Sequence, residues 1–411
     1  MQEMKRECGV LLHLLNKSLH PETENLPEEV LGDVDWNAVM EEASHQTVLL
    51  SAFDAAANYK SLIPDEVYRT WFQRVSRGLI SNLRVNEAQR ELTHLLEKKE
   101  FPYVILKGEA SASYYSRPEL RQLGDVDFLI DPAQKDAVER ELTKAGYTSS
   151  GHGHAVHVVF KKAGAHLEMH FTLPGVPGGQ QGVLVQRFVQ DILRLPKATE
   201  RIKVQGYMPI EPHHGLVLLL HMQQHMLSEG LGLRHLCDWA AFVDRTYEKA
   251  FWTEALLPLL KEIGLLKYTA VMTKLCAYAL GSVCPEWADA EVELCQAVLG
   301  DILNGGNFGR KDKTRSQAGI MITGRTQNGI AKSRAHVLFK TLHQSVQKKH
   351  PIVKQVKVLH PAFDIYHGVL YILRSMMGKR PSLIKLAPLA QERRAIYEQL
   401  EIFETEKTDE A

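Results

Sequence analysis

Apolar positions recur every three to four residues through the first ~95 residues, which predicts helices and no strands. Leu11, Leu12, Leu14 and Leu15 begin one apolar face. Val39, Ala43, Val48 and Leu49 carry another after Trp36. Val75 to Leu96 repeats the pattern through Leu79, Leu83, Ala88 and Leu92. From residue 101 the pattern changes. Tyr103-Val104-Ile105-Leu106 is a short apolar run ended by Lys107-Gly108, which predicts a strand, then a small-residue helix over Ala110 to Tyr115. Asp125 to Ile130 predicts a second strand, stopped by Asp131-Pro132. Ala137, Val138 and Leu142 place an amphipathic helix over 133–145, with Gly146 as its stop. Val156 to Lys161 and His166 to Thr172 predict two further strands around a turn at Ala163-Gly164. Pro174 to Gly179 is a breaker-rich loop. Beyond residue 211 the helical period returns. One long helix runs from Pro212 to Leu227, ended by Ser228-Glu229-Gly230, and others are expected near 233–246, 252–264, 266–280 and 288–303.

That order of elements predicts an α/β (α+β) chain. A small mixed-sheet core over 99–210 stands between an N-terminal helical segment, 1–98, and a C-terminal helical domain, 211–411. Composition narrows the function classes. Lys+Arg 49 balances Asp+Glu 49, so no global charge draws the chain to nucleic acid or an acidic membrane. Apolar runs such as Leu216 to Leu220 are far too short to span a bilayer, and residues 1–7 lack a signal-peptide core. Five cysteines without a CxxC pair suggest free thiols in a reducing compartment. The expectation is a cytoplasmic protein with no membrane insertion.

The sharpest chemical feature is Gly124-Asp125-Val126-Asp127-Phe128. Residues i and i+2 of a strand share a face, so two carboxylates stand side by side. They repel unless a cation compensates them; magnesium suits, because it shares its remaining positions with water and substrate phosphates. A solvated strand end bearing two acids is the competing reading. Glu168, between apolar Leu167 and Met169, could face the same site from a later strand, and His170 shares its parity. His214, His221 and His225 fall on one helix face, as metal ligands or as core-lining residues, without the H-E-x-x-H pattern. Arg234 and Asp238 are four apart, spaced to pair on one helix or to line an acceptor pocket. Between Arg310 and Lys357 the bases far outnumber the single acid, Asp312. That run could hold a triphosphate, RNA or an anionic surface, or form a solvated face.

The ordered set resembles a nucleotidyltransferase of the DNA polymerase beta superfamily: a strand ending in Gly, a short helix, Gly-Asp-x-Asp, then a third acid. More narrowly, Leu106-Lys107-Gly108, Arg121, Gly124 to Ile130, Ala145-Gly146-Tyr147, Leu167 to Phe171 and Leu233 to Trp239 resemble an uncharacterised bacterial nucleotidyltransferase family, over roughly residues 30 to 310. The resemblance implies transfer of a nucleoside monophosphate from an NTP to an acceptor with release of pyrophosphate. It implies Mg2+ or Mn2+ on Asp125, Asp127 and Glu168 as the catalytic and metal-holding carboxylates. Lys107, Gly108 and Arg121 would meet the nucleotide phosphates, with Asp125 as the other candidate partner of Arg121. The acceptor could be a small molecule, a protein side chain or an RNA end. Glu109 departs from the small residue usual after the first glycine, which keeps open a catalytically inactive nucleotide-binding module. A metal-dependent hydrolase built on the histidine face is the third reading.

Overall fold

The computed structural model describes residues 4–150, 157–198, 206–312 and 383–404, together with Arg315, Phe363, Tyr366, Val369 and Leu370. The chain opens with helices α1 (Arg6–Leu19), α2 (Glu28–Leu31), α3 (Trp36–His45), α4 (Leu49–Ala56) and α5 (Asp65–Lys98). Helix α1 buries Val10, Leu11, Leu14 and Leu15. Helix α3 starts where the Asp35 carboxylate accepts from the amides of Asn37 and Ala38, satisfying two otherwise open donors.

In α5 the apolar repeat divides. Val75, Ala88, Leu92 and Leu96 are buried, whereas Leu79 and Leu83 are exposed. Successive four-residue steps drift about 40° each around a helix of 3.6 residues per turn. The inward face therefore passes to Asn82 instead. Its amide donates to the Arg121 carbonyl at 2.9 Å and accepts from the Leu123 amide at 2.8 Å. A polar residue in mid-helix thus holds the loop leading into Gly-Asp-Val-Asp.

The core follows as β1 (Tyr103–Ile105), α6 (Glu109–Ala112), β2 (Val126–Ile130), α7 (Lys135–Lys144), β3 (Thr148–Ser150), β4 (His157–Lys162) and β5 (Ala165–His170). The mixed sheet has the order β1-β2-β5-β4-β3, with β2 and β5 parallel and the other neighbours antiparallel. Ala163 and Gly164, both at positive φ, turn β4 into β5. Gly146 takes φ +90° just past α7, as its C-terminal position demands. Three strands escape the periodicity: β3, and the ribbon formed by β6 (Pro196–Ala198) and β7 (Tyr207–Pro209) after helix α8 (Gly179–Phe188). Each has only three residues, too few to show an alternation. Val156, placed in a strand by sequence, lies outside the described residues.

The remaining helices are α9 (Glu211–Leu227), α10 (Leu233–Thr246), α11 (Leu257–Glu262) after a wide turn at Trp252–Leu256, α12 (Leu266–Leu280), α13 (Val292–Gly305) and α14 (Leu383–Gln399). Helix α1 packs on α12, so the first and last thirds of the chain share one apolar core running from Cys8 to Ile402. Among the described residues no helix is long and apolar enough to cross a membrane. Most of the basic run lies outside the described residues. Its first members are structural: Lys311 bonds Glu42 at 2.7 Å and Arg315 pairs with buried Asp301 at 2.9 Å.

Candidate active site

Strands β2 and β5 bring the acids together. Their parallel register sets Asp127 opposite Glu168, with Val126 opposite Leu167 and Phe128 opposite Met169. One face is therefore apolar and lies under α5, while the other carries Asp127, Glu168 and His170. Oxygens of Asp127 and Glu168 and a nitrogen of His170 all lie within 4.8 Å of one another. His170 Nε2 donates to Asp127 Oδ1 at 3.0 Å and stands 3.5 Å from Glu168 Oε2. Asp125 lies just ahead of β2 and is exposed at its edge.

The electrostatics of this face are those of a site short of positive charge. Above all the neighbouring Asp127 charge pushes the Asp125 carboxyl up to about 6. Burial alone would raise Asp127 too, but the Lys107 ammonium and His170 override it and hold Asp127 well below the usual carboxylate range. Burial disfavours charge on His170, yet its bonds to Asp127 and Glu168 win and raise it above an ordinary histidine. Carboxylate oxygens at this spacing fit a hard divalent cation, whose ligands sit ~2.1–2.6 Å from the ion. The donor set and the unrelieved repulsion at Asp125 both suit such an ion.

Lys107 follows β1, and its Nζ lies 2.8 Å from Asp127 Oδ1 and 2.9 Å from His221 Nε2. Gly108 begins α6 at φ +67°, a backbone region that penalises any Cβ. Glu109 is buried beside it, and its charge supports that of Arg121. A cleft of about 680 Å³ lies over these groups, within the usual range for small-molecule sites. Its wall includes the Leu173–Val176 loop, where Gly175 presses its backbone against α9. A Cβ there would clash with the Leu220 carbonyl, and Gln223 donates to the Gly175 carbonyl.

Arg121 does not pair with Asp125, the protein partner the sequence offered. Its buried guanidinium grips Asp238 of α10 with two bonds, 2.6 and 2.7 Å, and the Tyr115 hydroxyl donates to the same carboxylate. Arg234 is thereby left without the i+4 acid expected for it. It lines the cleft instead; among the described residues it makes one weak 3.4 Å bond to the Gln122 carbonyl, its Nε has no acceptor, and its head is 5.7 Å from the Phe308 ring centre. Spacing suggested an Arg234–Asp238 pair, and only the tertiary fold redirects both members.

The histidine face also regroups. His214 is a core residue, bonded to the Leu106 carbonyl and the Tyr114 hydroxyl. His235, from α10, joins His221 and His225 in its place.

Asp125 and Asp127 at the start of β2, Glu168 in parallel register on β5, and Lys107, Arg121 and Arg234 thus line one cleft. Residues 32–281, more than half of the chain, match a family described as uncharacterised nucleotidyltransferase. The chain belongs to that family. No curated protein matches it.

Proposed function

We propose that the chain moves a nucleoside monophosphate from an NTP to an acceptor, releasing pyrophosphate, with Asp125, Asp127 and Glu168 as its metal-holding carboxylates. The Asp127–Glu168 register beside Asp125, under a cleft lined by Lys107 and Arg234, carries this reading. Magnesium or manganese bound there would neutralise charge on the phosphates and on the attacking oxygen. His170 orients Asp127 through its 3.0 Å bond. Glu168, still partly exposed, is available to receive the acceptor's proton. With a divalent cation bound, Lys107 would be free to leave Asp127 for a phosphate, and the Gly108 backbone would admit close approach. Arg234, with unused donors, meets phosphate in the role the sequence suggested for Arg121. The acceptor is a small molecule, a protein side chain or an RNA end.

The pairing of Lys107 with Asp127 also suits a nucleotide-binding module without catalysis, so binding and turnover need separate readouts. ATP, GTP, CTP and UTP are screened by thermal shift with and without Mg2+ or Mn2+, then tested for pyrophosphate release in the presence of candidate acceptors. At least one NTP should raise Tm only with metal, since a bound ligand stabilises by mass action. Asp125→Asn and Asp127→Asn should each lose that shift while still melting cooperatively. If every NTP leaves Tm unchanged with metal present, the proposal fails. Binding without pyrophosphate release from any acceptor class selects the inactive module.

A further inference from the structure

Opposite the carboxylates, on the far side of Lys107, three imidazoles converge. His221 and His225 stand one turn apart on α9, and His235 enters from the first turn of α10. One nitrogen from each lies within 4.8 Å of the other two, and the Nε2 atoms of His221 and His225 are 2.7 Å apart. In a tetrahedral site with ~2.1 Å metal–nitrogen bonds, neighbouring ligands are ~3.4 Å apart, a value these separations bracket. Among the described residues, His225 Nδ1 and His235 Nε2 are buried without hydrogen-bond partners, which is uncommon for polar nitrogens. His235 Nδ1 receives only a 3.4 Å contact from the Gly232 amide, weak enough to yield when Nε2 turns its lone pair to an ion.

The geometry points to a second metal site: a zinc-class divalent ion held by His221, His225 and His235. Imidazole selects a transition ion over magnesium, which prefers oxygen, so the two sites differ in the metal they take. Three protein ligands leave a tetrahedral ion one open position, and all three histidines line the same cleft as Asp127. An oxygen of a cleft-bound molecule can fill that position. Binding also takes His221 Nε2 away from Lys107, leaving the ammonium to Asp127 or to an incoming phosphate.

This inference stands apart from the nucleotidyl-transfer reading and is tested without turnover. Chelator-stripped full-length protein is titrated with Co2+ alone. One equivalent should produce the visible ligand-field bands of a four-coordinate site, displaced by Zn2+ and unmoved by excess Mg2+. The bands should persist in Asp127→Asn. His225→Gln and His235→Gln should each weaken binding at least ~10-fold, since losing a ligand costs no less than losing an outer-shell partner. X-ray absorption of zinc-loaded wild-type protein gives the ligand count should either variant fail to fold. Three imidazole scatterers support the site, and a carboxylate-dominated shell overturns it. No Co2+ bands, or bands lost in Asp127→Asn and kept in His235→Gln, also overturns it.

Discussion

Lys107→Met isolates the charge logic of the site. The Lys107 and Asp127 side chains are 14% and 4% exposed and meet at 2.8 Å, so the pair is buried and poorly screened. Methionine keeps the length of the stem and removes the cation. Breaking a buried pair from one side costs ~3–5 kcal/mol. His170 still donates to Asp127, so the lower end, ~3 kcal/mol, is expected. At ~2 °C per kcal/mol for a large domain, Tm falls by roughly 6 °C near neutral pH. The pH dependence has a definite sign. In the wild type Asp127 is held below its unfolded pKa, so its stabilisation is present above that value and lost as pH falls through the folded one. Losing Lys107 removes the main cause of that depression, and the Asp127 carboxyl moves upward. The gap between wild type and variant is therefore widest at neutrality and shrinks as pH falls through the raised Asp127 pKa of the folded variant, since the unfolded aspartate is common to both. Millimolar Mg2+ or Mn2+ should recover much of the loss in the variant, giving a larger metal-induced Tm rise than in the wild type. Differential scanning fluorimetry over pH and metal concentration measures all three effects. A variant that melts within ~1 °C of wild type at neutral pH, with an unchanged metal response, refutes this account of the site.

Two further outcomes separate binding from framework. Arg234→Gln should leave stability nearly unchanged, because among the described residues Arg234 forms no ion pair, but should raise KM for the NTP at least ~10-fold, the worth of one charge-assisted bond; an unchanged KM removes it from the nucleotide site. Arg121→Met and Asp238→Leu should each cost ~3–5 kcal/mol in denaturant melts, whereas the double variant recovers most of that loss; additive single losses would show that the pair is not acting as a unit.

The acids were legible because strand parity is a local property. Asp127 shares the site face with Glu168 and His170 for the reason the alternation gives, although Asp125 sits just before the strand. Helix bounds were legible where a breaker marks them: 233–246 begins just after Gly232, and 266–280 stops at Gly281 in the left-handed region. Partnerships across the fold were not. Arg121 and Asp238 are 117 positions apart, and no spacing rule competes with a bidentate bond formed on folding. The same limit hid His235, which reaches the α9 histidines from another helix, and assigned Leu79 and Leu83 to a buried face that Asn82 occupies.

The placement of Lys107 carries one further consequence. A phosphate group brought ~4 Å from an unneutralised Asp127 meets about 4 kcal/mol of repulsion at an effective dielectric near 20. A charge-assisted hydrogen bond from Arg234 returns only ~1.5–3 kcal/mol. While Lys107 remains on Asp127 that repulsion is masked but the ammonium is withheld from the phosphates, and leaving Asp127 exposes the carboxylate it had neutralised. Nucleotide binding without a divalent cation should therefore be weaker on either arrangement of the lysine. A cation held by the carboxylates would turn the repulsion into attraction and would free Lys107 for the phosphates. Nucleotide affinity and divalent-ion affinity must then rise together by the same factor, as linkage requires of two ligands that share one site.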